Sequence, residues 1–230
     1  MRQDSRKKKA LYILILVITA AAVLGVFLWS SKTKEEKTPE ESAPGEQVSS
    51  EEDTGETVVH EAPETYVEGT IEGDHYENKW LGIQFDAPKG FHMYSRKELD
   101  NRVEDAESQE EESMTIDMCA SSNDMGSVEI HVEKKGPLAS AKEYLEGQQK
   151  EMLEKDGKVM KFKNNGTLSK ETIGGQEYDS LKLEYTLDGM EFCSERYARI
   201  ADKCIVVIQI DYDPANTADR DAVMEAVQAL

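Results

Sequence analysis

The sequence predicts an α+β domain, an antiparallel β-sheet covered by helices, carried behind one transmembrane helix and a disordered acidic tether. Three observations predict it. Strand-length segments of alternating polarity, separated by Gly, Asn and Asp turns, fill the last third of the chain. Two Ser-x-x-Glu capping boxes, at Ser95 and Ser140, open helical stretches among them. Near the N-terminus, twenty uncharged residues lie between a basic flank and a long acidic stretch.

Residues 1–9 carry five positive charges, Arg2, Arg6, Lys7, Lys8 and Lys9, against Asp4 alone. Ala10–Trp29 then runs without a charge. At about 1.5 Å per residue it reaches about 30 Å, the thickness of a bilayer's hydrocarbon core. Tyr12 and Trp29 sit near its ends, where amphipathic rings prefer to lie. Ala20–Ala22 resembles a signal-peptidase site, but cleavage there would leave the apolar stub VLGVFLW exposed, so the run reads as an uncleaved signal-anchor. No cysteine follows it closely, which excludes a lipobox. The basic flank keeps residues 1–9 in the cytoplasm and sends the rest outside the cell. The expected location is the cell membrane, single-pass, with the membrane itself the partner of residues 10–29.

Residues 30–65 read as a disordered acidic linker. Ser31–Asp74 holds three Lys against fourteen acidic residues, punctuated by Pro39, Pro44 and Pro63. Such a stretch buries too little apolar surface to offset its ordering entropy.

Residues 66–230 are long enough for one domain with its own core. Trp80–Ala87 reads as a strand that stops at Pro88-Lys89-Gly90, and Phe91–Tyr94 as a short one. Ser95-x-x-Glu98 opens a helix to about Glu107, and the polar run Glu104–Ser113 reads as a loop. Met114–Cys119 and Val128–Val132 form a hairpin across Ser121–Gly126. Ser140-x-x-Glu143 caps a helix to about Lys155. Strands follow near Val159–Lys163, Thr167–Ile173, Glu177–Leu187, Glu191–Ile200 and Cys204–Tyr212. Turns at Asn165-Gly166, Gly174-Gly175, Asp188-Gly189 and Ala201-Asp202 join them into a meander. A last helix from Asn216 or Thr217 buries Val223, Ala226, Val227 and Leu230.

The run Trp80-Leu-Gly82-Ile-x-Phe85-x-x-Pro88-x-Gly90-Phe91, followed by Ser95-x-x-Glu98-Leu99, resembles the opening of PsbP-like domains. The closing strands and C-terminal helix are also similar to that α/β/α sandwich. The resemblance covers roughly residues 66–230 and implies a fold and an accessory or adaptor habit, as in membrane-anchored ectodomains of Gram-positive bacteria. It implies no catalytic residues.

With 27 Lys+Arg against 47 Asp+Glu the formal net charge is −20, which argues against a nucleic-acid partner. Gly-x-Ser-x-Gly, Gly-x-Gly-x-x-Gly and Walker patterns are absent, and Ser31-x-x-Lys34 lies in the linker. Glu129, His131 and Glu133 share one face of a strand, and pairing Met118 with Val128 would set Asp117 opposite Glu129 and Thr115 opposite His131. That is an oxygen-rich metal candidate, but the solvated face of a strand explains it more simply. Asp211-x-Asp213-x-x-Asn216-x-x-Asp219 lacks the Gly and Glu of a calcium loop and reads as a strand end and helix start. Cys119, Cys193 and Cys204 sit on strands, with a turn at Ala201-Asp202 pairing Cys204 with Arg199. An odd count outside the cell leaves at least one thiol free or joined to another chain. No catalytic, cofactor-binding or metal residue is assigned, and no cofactor is expected. The expectation is a membrane-tethered, extracellular, non-enzymatic binding or adaptor domain with an envelope partner of unspecified identity. The alternatives are an envelope enzyme built on dispersed carboxylates and an extracellular sensor.

Overall fold

The structure, a computed structural model, describes residues 66–107, 114–155 and 160–230. The basic tail, the transmembrane run 10–29, the linker 30–65 and the acidic residues 108–113 lie outside the described residues. No described helix is long and apolar enough to cross a membrane.

The first half comprises β1 (Thr70–Glu72), β2 (His75–Asn78), β3 (Ile83–Asp86), β4 (Phe91–Met93), α1 (Arg96–Glu107), β5 (Met114–Ser122) and β6 (Ser127–Lys134). Then follow α2 (Ala141–Lys155), β7 (Lys161–Phe162), β8 (Thr167–Ile173), β9 (Gln176–Leu187) and β10 (Met190–Ala201). The chain closes with β11 (Cys204–Tyr212), α3 (Ala218–Ala226) and β12 (Val227–Ala229). Every strand pair is antiparallel, as an α+β meander requires.

The large sheet runs β4-β5-β6-β11-β10-β9, with β7 and β8 both on the outer edge of β9. Asp188 and Gly189 each take a positive φ, 51° and 82°, giving the β9–β10 hairpin a tight two-residue turn. The next turn is displaced by one residue from expectation. Ala201 pairs with Cys204, so Asp202 (φ 54°) and Lys203 make the turn, and Cys204 does not face Arg199. Asp tolerates this left-handed conformation because its short side chain can bond locally.

Asn165-Gly166 is not the hairpin turn expected of it. Phe162 pairs with Tyr185 and Thr167 with Lys182, so residues 163–166 stand opposite Leu183 and Glu184 alone. β7 and β8 are thus one edge strand interrupted by a bulge. Gly166 fits there at φ 87°, where a Cβ would come within 2.7 Å of Leu183 Cδ2.

A second sheet, β1-β2-β3-β12, went unseen in the sequence. Its last strand corrects the C-terminal helix. α3 ends at Ala226, and Val227–Ala229 pair with β3 through Phe85, Gln84 and Ile83. The open edge of β3 satisfies those backbone groups, and Leu230 is left 53% exposed instead of buried. α1 runs from Arg96 to Glu107, the end expected of the helix that Ser95-x-x-Glu98 opens.

Two cores flank the large sheet. Tyr76, Ile83 and Phe85 of the small sheet and Val223 of α3 pack with Met118, Ile130, Val206 and Ile208 on one face. On the other face Ala141, Tyr144, Leu145 and Met152 of α2 pack on Leu181, Leu183, Ala198, Ile205 and Val207. Both helix starts carry their capping glutamates. Glu98 Oε2 accepts from Ser95 N at 2.8 Å, and Glu143 Oε2 accepts from Ala139 N at 2.8 Å.

The two sheets are joined at a bulge. β5 pairs Ile116 with His131 and Met118 with Ile130, so the register shifts at Asp117. The wholly buried Asp117 carboxylate accepts from Gly69 N at 2.8 Å, from Asn78 Nδ2 at 2.7 Å and from Tyr76 OH. Arg96, at the head of α1, reaches across with Nη2 to Asp117 O at 2.9 Å and Gly69 O at 3.1 Å. Its Nη1 meets Glu68 Oε1 at 2.6 Å. We expect Asp117→Ala, which strands several buried donors, to lower the unfolding free energy by about 3 kcal/mol or more. Urea denaturation of the full chain in detergent checks this, and an unchanged midpoint would show that the joint lies elsewhere.

Candidate functional site

β6 alternates in a way that puts chemistry under α2. Val128, Ile130 and Val132 enter the core shared with the small sheet. Glu129, His131 and Glu133 therefore point to the opposite side, next to Gln209, Val207 and Ile205 of β11. The face is as the sequence implied, but it is not solvated: α2 covers it, and His131 is 2% exposed.

The cross-strand partners also differ from expectation. Val128 pairs with Ala120 rather than Met118, Glu129 faces Cys119 rather than Asp117, and Thr115 faces Val132 rather than His131. The bulge turns Asp117 toward the small sheet, away from the His131 cluster. The oxygen-rich set proposed from sequence is therefore split between two faces. Among the described residues no group of three or more His, Cys, Asp and Glu is placed to hold a metal ion.

His131 lies between two carboxylates. Nδ1 is 3.1 Å from Glu129 Oε1, and Nε2 is 3.2 Å from Glu133 Oε1 but off the N–H axis. Burial alone would favour the neutral ring, yet the two carboxylates outweigh it and push the imidazole up to about 9. The ring is an imidazolium at neutral pH. Tyr144 of α2 donates to Glu133 Oε1 at 2.6 Å and accepts from Gln148 Nε2 at 2.5 Å. Burial and the adjacent Glu133 drive the Tyr144 phenol well above its ordinary range, so it stays a donor.

Two further strands contribute polar residues to this face, of which only Asp211 figured among the candidates read from the sequence. Arg196 and Ser194 come from β10, and Gln209 and Asp211 from β11. Arg196 Nη1 donates to Gln148 Oε1 at 2.6 Å, linking β10 to α2. Burial pushes the Asp211 carboxyl up, against the opposing pull of Gln209, Ser194 and Arg196. The available signal was a charged residue in the middle of β10, a strand with partners on both sides, where apolar residues are the rule.

A second polar cluster lies on the other face, at the start of α3. Glu195 accepts from Tyr212 OH at 2.7 Å, from Arg220 Nε at 3.0 Å and from Tyr197 OH. Burial would raise this carboxyl, but those three donors hold it down at about 2. The calcium-like run is dispersed. Asp211 is buried, Asp213 accepts from Ala215 N at 2.8 Å, Asn216 from Ala218 N, and Asp219 from Ser122 Oγ at 2.6 Å. Cys119, Cys193 and Cys204 are buried and form no disulfide.

The His131 cluster makes stability fall with rising pH. A pKa of about 9 in the folded chain against 6.5 unfolded makes the imidazolium worth about 3 kcal/mol. That stabilisation is complete below about pH 6.5 and disappears as pH rises through about 9. Urea midpoints of the full chain should decline across this window, and the decline should be absent in His131→Gln. A wild-type midpoint that stays flat from pH 6 to pH 9 would contradict the assignment.

No family model matches the chain, and no curated protein matches it. Several solved structures are similar to it. The solution structure of cyanobacterial PsbP from Synechocystis is 10% identical at a TM-score of 0.43, over 74% of this chain and 98% of that one. LpqN of Mycobacterium tuberculosis, described as involved in cell envelope biogenesis, is 12% identical at 0.40, over 70% and 87%. A Bacteroides thetaiotaomicron protein is 11% identical at 0.40, over 70% of this chain, which spans 49% of that protein's length.

Proposed function

We propose that this chain is a single-pass membrane protein whose PsbP-like domain, residues 66–230, stands outside the cell as a non-enzymatic binding or adaptor module. The observation that carries the reading is the sequence order: a basic tail, twenty uncharged residues, an acidic linker, then a domain with its own two-sided core. The adaptor reading draws support from how the described charged groups are used. Asp117 and Arg96 join the sheets, Glu195 and Arg220 join α3 to β10, and Glu133 holds Tyr144 of α2. Each such group is tied to a joint between elements, where a reactive group would need access to a substrate. The PsbP-like assignment draws on the Trp80–Phe91 and Ser95–Leu99 pattern together with an antiparallel sheet covered by helices.

Protease added to intact cells tests the topology. It should cut the linker and release a soluble fragment of about 17 kDa, at roughly 110 Da per residue, because exposed polar linkers are preferred sites of nicking. Full protection of the domain until the cells are lysed would overturn the placement.

A further inference from the structure

Arg196 is the least explained charged residue in the domain. Its side chain is 1% exposed, on the α2-covered face, two positions from Ala198 and directly across from Leu181. Nη1 is engaged by Gln148, but Nε and Nη2 have no acceptor among the described residues. Buried donors are almost always paired, because an unmet one keeps the full cost of leaving water.

Three carboxylates on the sheet side of this face have partners of their own, and Glu151 of α2 is buried close enough to act on Tyr144. Glu129 lies against His131, Glu133 against His131 and Tyr144, and Asp211 accepts from Gln209 Nε2 at 2.8 Å through Oδ2. Asp211 stands diagonally across from Arg196, since Ser194 is its direct partner, and its Oδ1 has no donor among the described residues. Nε and Nη2 form one edge of the guanidinium, two parallel N–H groups spaced to meet the two oxygens of a single carboxylate.

We propose that Arg196 anchors a binding site for a small carboxylate between the large sheet and α2, with the ligand's two oxygens on Nε and Nη2. A planar monoanion suits the place better than a phosphate. Glu129, Glu133 and Asp211 already load this face with acidic groups, and the extra oxygens and charge of a phosphate would be turned against them. The cover over the site is also weak at the relevant point. α2 carries Gly147 in its interior, beside the Gln148 that holds the other edge of Arg196, and an interior glycine loosens a helix. The site does not depend on where the domain resides in the cell.

The test uses formate as the probe, on the full-length protein in detergent micelles, with chloride exchanged for formate at constant ionic strength. The Arg196 Nε–H resonance should move with formate in a saturable way and stay in place with chloride. In Arg196→Lys, which keeps the charge and loses the fork, formate affinity should fall about tenfold or more. An Nε–H resonance unmoved by formate at about 100 mM, or undiminished formate binding in Arg196→Lys, would overturn the site. If Arg196→Lys does not fold, the wild-type Nε–H titration decides alone.

Discussion

Asp117 is a carboxylate with no exposure to water, at the one place where the β5–β6 ladder slips. A buried carboxylate persists only if donors surround it, and here the donors come from three separate parts of the chain. Gly69 belongs to the entering segment, Tyr76 and Asn78 to β2, and Arg96 to the first turn of α1. The bulge is what aims the carboxylate at them. Continuing the Cys119–Glu129 register without the slip would set Asp117 opposite His131, on the α2 side of the sheet and away from these donors. One irregular residue therefore fixes both the docking of the small sheet and the composition of the opposite face.

That opposite face is unusual for a core. Seven polar or charged residues of β6, β10 and β11 (Glu129, His131, Glu133, Ser194, Arg196, Gln209 and Asp211) lie beside five apolar ones. α2 answers them only in part, through Tyr144 to Glu133 and Gln148 to Arg196. A hydrophobic replacement of the same volume would commonly be as stable or more so, so such a face is weak evidence for stability as its purpose. It does fix where α2 sits. A purely apolar contact could slide by a turn, whereas Tyr144 and Gln148, four residues apart on one helix face, must each meet a particular strand.

The sequence made the regular parts legible and hid the joints. The segment Thr167–Ile173, the helix opening at Ser140 and the strand Cys204–Tyr212 follow directly from alternation, capping and turn residues. The small sheet was hidden because β1 and β12 are three residues each, too short to show a period. Val227 fits a helical stripe as well as a strand, and only the unpaired edge of β3 decides between them. The Asn165-Gly166 pair signals a turn by composition, but a bulge needs the same left-handed glycine. The Glu129–His131–Glu133 alternation was visible, while its burial depends on α2 crossing over it. Arg196 was marked only by its charge in the middle of β10, and its burial depends on the strands on either side and on α2.

The claim on which most depends is that Asp117 joins the small sheet to the large one, while α2 and the central strands hold together independently. Hydrogen–deuterium exchange on full-length wild type and Asp117→Ala, compared segment by segment, tests it most directly. We expect faster exchange in β1, β2, β3 and β12, and in the first turn of α1, with β10, β11 and α2 as protected as in wild type. Equal acceleration across both sheets, or none in the small sheet, would contradict the account.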